Sequence, residues 1–334
     1  MERIEALRTW LTERLAGRAF ALAPASSDAS FRRYFRVTLE DGATWIVMDA
    51  PPEHEDVRPW LAVQRLFAAA GARVPEVLAA DPARGFLLIS DLGSTTYLTA
   101  LQTGATPDDL YRAAIDTLLD IQSASRPGRL PPYDRALLQR ELDLFPEWYV
   151  ARHLGVTLTT EERQAFDALC AKILAVNLAE PRVFVHRDYH SRNLMLADGR
   201  PGVLDFQDAV EGPLSYDLVS LFKDAYIDWP EEQTLDWLAR YWEKAKKRGL
   251  PIAGDFGDFF RAYEWMGVQR HLKVLGIFAR LKHRDGKDGY LKDMPRVAGY
   301  LYAAAARYAA LAPLARLLDK LAHRTPQIID SRTT

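Results

Sequence analysis

The amino-acid sequence predicts an α+β fold made of two lobes, a small antiparallel-sheet lobe at the N-terminus and a mainly helical lobe after it. Short apolar runs separated by turn residues follow one another up to Gly93, whereas apolar residues recur with helical spacing from about Thr106 onwards. The chain has 334 residues, 49% of them hydrophobic, which is enough for more than one core. We therefore expect lobes at residues 1–93 and 94–324, followed by a disordered tail at 325–334.

The first lobe is predicted to begin with an amphipathic helix and to continue as a small antiparallel sheet. The helix lies in MERIEALRTWLTERLAG, and one further helix is expected from about Pro59 to Ala70. The segments EDGA and DPARG read as turns between strands. The predicted strands are RAFALAP, FRRYFRVTLE, ATWIVMD, VPEVLAAD and RGFLLISDLG.

The second lobe is predicted to be helical almost throughout. Helices are expected in TPDDLYRAAIDTLLDIQSA, DRALLQRELDLFPEWYVARHLG and EERQAFDALCAKILAVNLA, and several more follow Trp229. Only RVFVH and GVLDF read as strands. The apolar stretch YLYAAAARYAALAPLARLLDKLA is interrupted by Arg307, Pro313, Arg316 and Asp319, so it predicts a pair of buried or half-buried helices rather than a membrane span.

Composition argues against several classes of partner. The formal net charge is −2, without the basic excess that is typical of proteins that bind nucleic acids or membrane surfaces. The single cysteine, Cys170, excludes a disulfide framework within one chain, and the N-terminus lacks the apolar centre of a signal peptide. We therefore expect a cytoplasmic protein. The sequence does not indicate its oligomeric state.

The segment VFVHRDYHSRNLMLADGRPGVLDF carries the chemistry. Asp188 directly follows an apolar strand, Asn193 comes five residues later, and Asp205 ends the second strand. An amide oxygen and a carboxylate make a modest oxygen-ligand site that suits Mg²⁺, which takes its other ligands from phosphates and water. The remaining carboxylate can accept a proton from a hydroxyl group. This is the arrangement used in protein-kinase-type phosphoryl transfer, with Asp188 as base and Asn193 and Asp205 as metal ligands.

A second HRD at His283 to Asp285 provides an internal comparison. Tyr290 stands where the asparagine should be, and the segment follows a charged helix rather than an apolar strand. This copy is therefore predicted to be a solvated helix end. A zinc site at His186 and His190 is disfavoured, because a four-residue spacing shares one face only on a helix. Neither a G-x-x-x-x-G-K-[ST] nor a G-x-G-x-x-G motif occurs in the sequence.

Three segments together resemble one family. HRDYHSRNLM, VLDFQDAVEGPLSYDLVSLFKDAY and SSDASFRRYFRV are similar to the aminoglycoside-phosphotransferase-like kinases, and among these to the anomeric N-acetylmuramate/N-acetylglucosamine 1-kinases of cell-wall recycling. The resemblance covers nearly the whole chain. It implies a bilobal protein-kinase-like fold, ATP as donor, Mg²⁺, an amino-sugar acceptor and a sugar 1-phosphate product. Asp217, in the SYD segment, and His186 are then expected to brace the catalytic loop rather than to touch substrate.

The first lobe departs from the kinase pattern at the phosphate-binding residues. The loop SSDASFRR contains no glycine, and its serines, including Ser27 and Ser30, are predicted to approach the phosphates instead. Met48 stands where the third strand would normally carry the phosphate-binding lysine. The following helix, PWLAVQRLFAAAG, has no acid to pair with such a lysine. The replacement cation is expected at Arg32 or Arg33, with plain solvent exposure as the alternative.

For contacts with the nucleotide base and with the acceptor, the sequence offers candidate residues without a defining motif. Ser90, Asp91 and Leu92, in ISDLG, are predicted to meet the adenine, and a simple strand end is the alternative. Arg192 is a candidate for contacting phosphate or sugar, or else for holding the loop backbone. The remaining candidates for sugar contacts, with ordinary helix packing or a solvated face as their alternatives, are Glu147, Trp148, Arg270 and His271.

Two other functions are compatible with these residues. A kinase acting on an aminoglycoside or another small hydroxylated acceptor would need an acidic pocket, for which Glu141, Asp143, Glu147 and Asp208 are available. A non-catalytic nucleotide-binding regulator would explain Met48 and the missing glycines. It would not explain why Asp188, Asn193 and Asp205 occur together.

Overall fold

The computed structural model describes residues 2–27, 31–197 and 199–324, without the side chains of residues 26 and 27. The strands are β1 (Phe20–Ser27), β2 (Arg33–Leu39), β3 (Thr44–Asp49), β4 (Val77–Asp81), β5 (Phe86–Ser90), β6 (Arg182–Val185), β7 (Leu194–Met195), β8 (Gly202–Val203) and β9 (Val210–Pro213). The helices are α1 (Glu2–Arg14), α2 (Val57–Ala69), α3 (Tyr97–Gln102), α4 (Pro107–Ser123), α5 (Arg135–Leu144), α6 (Thr160–Leu178), α7 (Tyr216–Phe222), α8 (Glu231–Lys247), α9 (Phe256–Asp285), α10 (Met294–Arg307) and α11 (Ala312–Arg324). A π-helix spans Phe145–His153, and short 3₁₀ helices span Asp288–Asp293 and Ala309–Leu311.

The chain divides into two compact units. The first consists of Met1–Thr106 together with Asn193–Asp208, and the second of Pro107–Arg192 together with Ala209–Thr334. The first unit therefore extends past the predicted boundary at Gly93. It also includes a later segment, because Val203 donates a backbone hydrogen bond to Arg73 and Leu196 donates one to Thr95, both at 2.8 Å. Hydrogen bonds between residues so far apart in the sequence leave no local signal.

The first unit is built on a five-stranded antiparallel sheet in the order β1-β2-β3-β5-β4. Helix α1 covers one face, because Leu7, Trp10 and Leu11 recur at helical spacing and form a core with apolar residues of the sheet. On α2, Trp60 and Phe67 pack against Phe206, with ring centroids 5.0 and 5.9 Å apart. This packing fixes the segment that follows β8.

The second unit is organised around the 30-residue helix α9, most of which is buried. Around it lie the other helices and two short strands, β6 and β9, which pair antiparallel. The sequence predicted β6 but not β9 or β7. Moreover, the predicted strand GVLDF ends at Val203, and its partner is β7. The missed strands have two and four residues, too few to show an alternating pattern.

The predicted helix DRALLQRELDLFPEWYVARHLG is two different helices. Helix α5 ends at Leu144, and the π-helix begins at Phe145, next to Pro146, which has no N–H to donate. Helix α9 approaches this junction closely at Gly276, where an added Cβ would lie 2.5 Å from the Leu144 carbonyl carbon. Only glycine allows the two backbones to come so near.

Two further predictions about the helices are confirmed. The second HRD, His283 to Asp285, is an exposed end of α9, with Arg284 paired to Asp285. The C-terminal apolar stretch forms the helix pair α10 and α11. Cys170 is buried in α6. No helix in the described part of the chain is long and apolar enough to cross a membrane. The tail predicted at 325–334 lies outside the described residues.

Candidate functional site

Asp188 lies in a loop that begins at the end of β6, and Asp217 of α7 holds this loop in place. The two carboxylate oxygens of Asp217 accept hydrogen bonds from the backbone N–H of His186 at 2.7 Å and of Arg187 at 3.0 Å. The His186 ring nitrogen Nδ1 accepts one from the backbone N–H of Asp188 at 3.2 Å. His186 and Asp217 are fully buried. Both side chains therefore contact the loop backbone, and their role in bracing the loop for catalysis stays a prediction.

The backbone at Arg187 is unusual, because its φ of 77° lies in the left-handed region that favours glycine. The two hydrogen bonds to Asp217 hold it there. Non-glycine residues in this region are concentrated at functional sites, where the surrounding structure compensates for the strain. The conformation sets the direction in which the next residue, Asp188, leaves the strand.

Asp188 lies among basic groups. Nη2 of Arg270 is 3.6 Å from its Oδ1, and the Asp188 side chain is 40% exposed, whereas that of Arg270 is only 7% exposed. Burial alone would raise the pKa of Asp188, but the positive charges of Lys273, Arg270 and other nearby basic groups outweigh it and hold that pKa well below its usual range. The carboxylate is therefore ionised throughout the neutral range.

A buried charged network stands behind this loop. Glu141 of α5 pairs with Arg187 at 2.6 Å and with Lys273 of α9 at 2.9 Å, and it accepts a hydrogen bond from the Tyr133 hydroxyl. The Tyr216 hydroxyl accepts hydrogen bonds from Lys273 at 2.9 Å and from Arg270 at 3.2 Å. Burial would raise the pKa of Glu141, but Lys273 and Arg187 hold it below its usual range. Glu141 is thus ionised inside the protein, and the positive charges of Arg187 and Lys273 balance its negative charge.

This network was only partly foreseen. Arg270, His271 and Lys273 are all buried, so the solvated-face alternative for this segment is wrong. His271 stacks on the ring of Tyr300 and lies 3.2 Å from the Lys223 carbonyl oxygen. The spacing of Arg270 and Lys273 on one helix face was a usable signal. Glu141, the partner of Lys273, lies 132 residues away from it in the sequence, and no local pattern links the two.

Two residues that the sequence did not single out hold the second half of the loop. Asp224, after α7, is buried and accepts hydrogen bonds from the backbone N–H and the hydroxyl of Ser191 at 3.0 and 2.6 Å. The guanidinium of Arg192 lies 3.5 Å from the centroid of the Tyr226 ring. Tyr226 thus fixes the direction of Arg192, the residue predicted to contact phosphate or sugar.

In the first unit, the two predicted metal ligands lie close together. Nδ2 of Asn193 is 3.5 Å from Oδ2 of Asp205. The Leu204 backbone N–H donates to the backbone carbonyl oxygen of Asn193 at 2.9 Å, which leaves the side-chain amide out of this hydrogen bond. Asp205 has a φ of 59°, again in the left-handed region. An amide and a carboxylate offer the oxygen ligands that Mg²⁺ prefers, and the amide can turn its oxygen towards an ion. No group of three or more His, Cys, Asp or Glu side chains suited to a metal occurs among the described residues. Phosphate and water would have to complete such a site.

Arg32 and Arg33, the two candidates for the phosphate-binding cation, contact different carboxylates. Nη2 of Arg32 lies 3.5 Å from Oδ1 of Asp205, and the Arg32 side chain is only 10% exposed. Arg33 instead pairs with Asp49, a fully buried carboxylate that Arg3 also contacts at 2.6 Å. Met48 is fully buried in the sheet. Arg32 is therefore the one that reaches a predicted metal ligand, whereas Arg33 neutralises Asp49.

The segment predicted to meet adenine is held at both ends. Ser90 accepts a hydrogen bond at its Oγ from the Glu76 backbone N–H at 2.9 Å, and Asp91 pairs with Arg36 at 2.6 Å. Leu92 packs against Gly202, where an added Cβ would lie 2.9 Å from Leu92 Cδ1. These contacts anchor the segment to its neighbours, and its role towards a nucleotide stays a prediction.

Four candidate residues remain, two for the sugar and two for the phosphates. Glu147 is exposed and Trp148 half-buried in the π-helix, where the Arg152 guanidinium lies 5.1 Å from the Trp148 ring. Their predicted contact with a sugar stays a prediction. Ser30 and the side chain of Ser27 lie outside the described residues.

The fold and this set of side chains define a class of protein. The chain belongs to the phosphotransferase enzyme family, whose profile matches residues 21–254. It is therefore an enzyme of the phosphotransferase class, and the resemblance noted in the sequence is confirmed.

Two curated relatives narrow the comparison. The chain is 52% identical over 324 residues to an N-acetylmuramate/N-acetylglucosamine kinase of Neisseria meningitidis, with 96% of both chains covered. It is 54% identical over 300 residues to an N-acetylmuramate/N-acetylglucosamine kinase of Pseudomonas aeruginosa, with 90% of this chain and 88% of that one covered.

Solved structures agree on the fold. An ADP-bound aminoglycoside phosphotransferase superposes with a TM-score of 0.60 at 16% identity, covering 90% of this chain and 97% of that one. The choline kinase of Streptococcus pneumoniae superposes with a TM-score of 0.63 at 12% identity, covering 89% and 99%. The predicted α+β, protein-kinase-like fold is thereby confirmed. At this level of identity the likeness concerns the fold alone.

Proposed function

We propose that this protein is an ATP-dependent sugar kinase that phosphorylates the anomeric C1 hydroxyl of N-acetylmuramate and N-acetylglucosamine. Its product is a sugar 1-phosphate, formed from amino sugars released during peptidoglycan recycling. A cytoplasmic location, where ATP is available, belongs to the same proposal. The observation that carries it is the 52% identity, over 96% of both chains, to a kinase with these two named substrates.

Asp188 is proposed to act on the acceptor hydroxyl. The proton of the C1 hydroxyl passes to an Asp188 carboxylate oxygen while the C1 oxygen forms a bond to the γ-phosphorus. The bond from that phosphorus to the bridging oxygen breaks, and ADP leaves. Since the pKa of Asp188 is held low by nearby basic groups, its carboxylate is ionised before the reaction and serves mainly to orient the hydroxyl, accepting the proton only late in the transfer.

The donor side is proposed to use Mg²⁺, Asn193, Asp205 and Arg32. A bound Mg²⁺ would neutralise charge on the phosphate oxygens. The amide of Asn193 and the carboxylate of Asp205, 3.5 Å apart, would hold it. Arg32, next to Asp205, supplies a positive charge in place of the missing lysine. Ser90, Asp91 and Leu92 are proposed to lie along the adenine.

The acceptor side is proposed to use Arg192. Its guanidinium is stacked on Tyr226 and is four residues beyond Asp188 in the same loop. N-acetylmuramate carries a lactyl carboxylate that N-acetylglucosamine lacks, and a fixed guanidinium suits such a group. Arg270 is proposed to act on Asp188 rather than on the sugar, because it is buried against that carboxylate.

The aminoglycoside alternative loses one of its four candidate acids. Glu141, one of the acids available for a polycationic acceptor, is buried and already neutralised by Arg187 and Lys273. The aminoglycoside phosphotransferases among the structural neighbours share only about one residue in six with this chain and speak for the fold alone.

One experiment tests the proposal directly. The purified protein is incubated with Mg-ATP and either amino sugar, and the products are followed by ³¹P NMR. A sugar 1-phosphate signal is expected from the wild type and from Asp285→Asn, which changes the exposed second HRD. Asp188→Asn should lose at least about 10²-fold in rate, because positioning and electrostatics supply most of the catalysis. A protein that binds Mg-ATP yet phosphorylates neither sugar would refute the substrate assignment.

A further inference from the structure

Side chains of the loop that carries Asp188 alternate between partly exposed and buried. Asp188, His190 and Arg192 keep part of their surface exposed, whereas Tyr189 and Ser191 are buried. The buried pair points into the helical unit, because the Tyr189 hydroxyl donates to a backbone carbonyl of α4 at 2.8 Å and Ser191 bonds to the buried Asp224. Every second side chain of the loop is therefore left facing outwards.

His190 is the member of this outward-facing set to which the proposed reaction gives no role. Its ring lies nearly perpendicular to the Tyr226 ring, with centroids 5.3 Å apart. The same Tyr226 ring carries the Arg192 guanidinium at 3.5 Å. The backbone N–H of His190 donates to the Asp188 carbonyl oxygen at 3.0 Å. One aromatic side chain thus positions His190 and Arg192 together, within a loop that ties both to Asp188.

The two ring nitrogens of His190 differ in their surroundings. Nδ1 is enclosed and has no hydrogen-bond partner among the described residues. An enclosed N–H without an acceptor is costly, so the proton of the neutral ring belongs on Nε2. Nε2 also lacks a partner in the described part of the chain, but it is not enclosed. Its N–H is therefore free to donate to a ligand beside Asp188.

The charge state of His190 agrees with this role. Burial lowers the pKa of His190, although the negative charges of Asp224 and Asp188 act in the opposite direction. The ring is therefore neutral at neutral pH and presents one donor. Asp188 and Arg192, on either side of it, present an anion and a cation.

We propose that His190 binds the acceptor sugar, its Nε2–H donating a hydrogen bond to the carbonyl oxygen of the acetamido group at C2. This inference rests on the proposed function, in which Asp188 meets the C1 hydroxyl and Arg192 the lactyl group on the C3 oxygen. The order of the three outward-facing side chains then follows the order of the three substituents on the sugar ring. Both N-acetylmuramate and N-acetylglucosamine carry the acetamido group.

His190 would thereby select N-acetylated sugars. The amide oxygen accepts the Nε2–H, whereas the ammonium group of an unacetylated amino sugar has no lone pair to accept it. A sugar with only a hydroxyl at C2 does not reach as far. A site built to donate a hydrogen bond discriminates against analogues that leave its donor unpaired.

Binding of two unreactive sugars tests this assignment. 1-Deoxy-N-acetylglucosamine and 1-deoxyglucose lack the C1 hydroxyl, so the full chain can bind them without transferring phosphate to C1. His190→Phe keeps an aromatic ring against Tyr226 but removes the donor. Isothermal titration should show that this variant binds 1-deoxy-N-acetylglucosamine about tenfold more weakly than the wild type does, and 1-deoxyglucose within about twofold. His190→Gln, whose amide N–H can replace Nε2–H, should restore most of the binding.

Steady-state kinetics separate binding from support of the loop. With N-acetylglucosamine, His190→Phe should raise KM about tenfold and leave kcat within about twofold, because the acetamido group does not react. A residue that only supported the loop would lower kcat through Asp188. His323→Phe, the same replacement at the exposed end of α11, is the matched control and should change neither constant.

The outcomes distinguish this inference from the proposed function. Equal weakening of the two deoxy sugars in His190→Phe, or unchanged binding of 1-deoxy-N-acetylglucosamine, would overturn the assignment of His190 even if the wild type forms a sugar 1-phosphate. A wild type that binds the N-acetylated sugar through His190 but forms no sugar 1-phosphate would instead overturn the proposed function.

Discussion

Arg270 lies with one guanidinium nitrogen 3.6 Å from the Asp188 carboxylate, while its other terminal nitrogen donates to the Arg187 carbonyl oxygen at 2.7 Å. One buried side chain from α9 therefore contacts both the proposed base and the backbone that carries it. This arrangement links the electrostatics of Asp188 to its position. Together with Lys273, Arg270 holds the pKa of Asp188 below its usual range.

The first prediction concerns the charge of Arg270. Arg270→Gln removes a positive charge beside Asp188, so the pKa of Asp188 should rise towards its usual range. The acid limb of the pH profile of kcat/KM should then move to higher pH, and kcat should fall by about tenfold or more. Arg270→Lys, which keeps the charge, should restore the acid limb. A uniform loss of rate with an unmoved acid limb would mean that Arg270 only supports the fold.

The second prediction concerns Asp217 and stability. Burial raises the pKa of Asp217 to about 7, against the lowering effect of the hydrogen bonds from His186 and Arg187, whereas the unfolded value is near 3.8. Between these values the native state binds more protons than the unfolded state. The stability contributed by this group is therefore fully present below about pH 4 and is lost as the pH rises to about 7.

Asp217→Asn does not titrate and supplies the comparison. The unfolding free energy of the wild type, relative to this variant, should decrease by up to a few kcal/mol across that range. Urea unfolding at about pH 5 and about pH 8 measures the difference. Asp285→Asn, at the exposed end of α9, should show no such change over the same range. An equal difference at both pH values would show that Asp217 keeps its charge throughout.

The sequence predicted the sheet lobe, the helical lobe and the loop from His186 to Asn193 because these depend on local patterns. Strand alternation and helical spacing are visible within a dozen residues. The contacts that give Asp188 its environment are not local. Arg270 is 82 residues from Asp188 in the sequence, and Glu141 is 46 residues from Arg187. Likewise, strand alternation predicts that Arg32 and Arg33 point to opposite sides, but only the position of Asp205 and Asp49 decides which one reaches a metal ligand.

The third prediction concerns the different partners of Arg32, which contacts Asp205, and Arg33, which contacts Asp49. Arg32→Gln should lower kcat/KM for ATP by about 10²-fold, because it removes a cation from the proposed phosphate site, while thermal stability changes little. Arg33→Gln should instead lower stability and leave the use of ATP nearly unchanged, because the buried carboxylate of Asp49 loses one of the two arginines, Arg3 and Arg33, that pair with it. Steady-state kinetics at varied ATP, together with thermal melts, measure both variants. Equal kinetic defects in the two variants would contradict the assignment of Arg32.

The fourth prediction concerns Met48. If the phosphate-binding lysine had simply been lost, Met48→Lys would improve the use of ATP. Met48 is fully buried, and helix α2 (Val57–Ala69) carries no acidic residue that could pair with a lysine at this position. The new ammonium group would therefore be unpaired, and the free energy of unfolding should fall by about 3 kcal/mol or more at neutral pH. Because burial lowers the pKa of such a lysine below its unfolded value, the loss should shrink as the pH rises towards about 10. Urea unfolding at both pH values checks this, and Met48→Leu, which conserves volume, should cost under about 1.5 kcal/mol.

The last prediction uses two glycines of the same helix. Replacing a helical glycine by alanine normally stabilises a protein by about 0.5–1 kcal/mol, because it restricts the unfolded chain. At Gly267 the added Cβ would lie 3.6 Å from the His271 ring, an ordinary contact, so Gly267→Ala should be neutral or stabilising. At Gly276 the Cβ would lie 2.5 Å from Leu144 backbone and side-chain carbons, at the junction of α5 and the π-helix. Gly276→Ala should therefore destabilise the protein by about 1–3 kcal/mol, because the two helices must move apart.

Denaturant unfolding of the Gly267→Ala and Gly276→Ala variants, compared in parallel, measures this difference. If both variants were equally stable, α9 would not be in close contact with Leu144, and the glycine would have no packing role there.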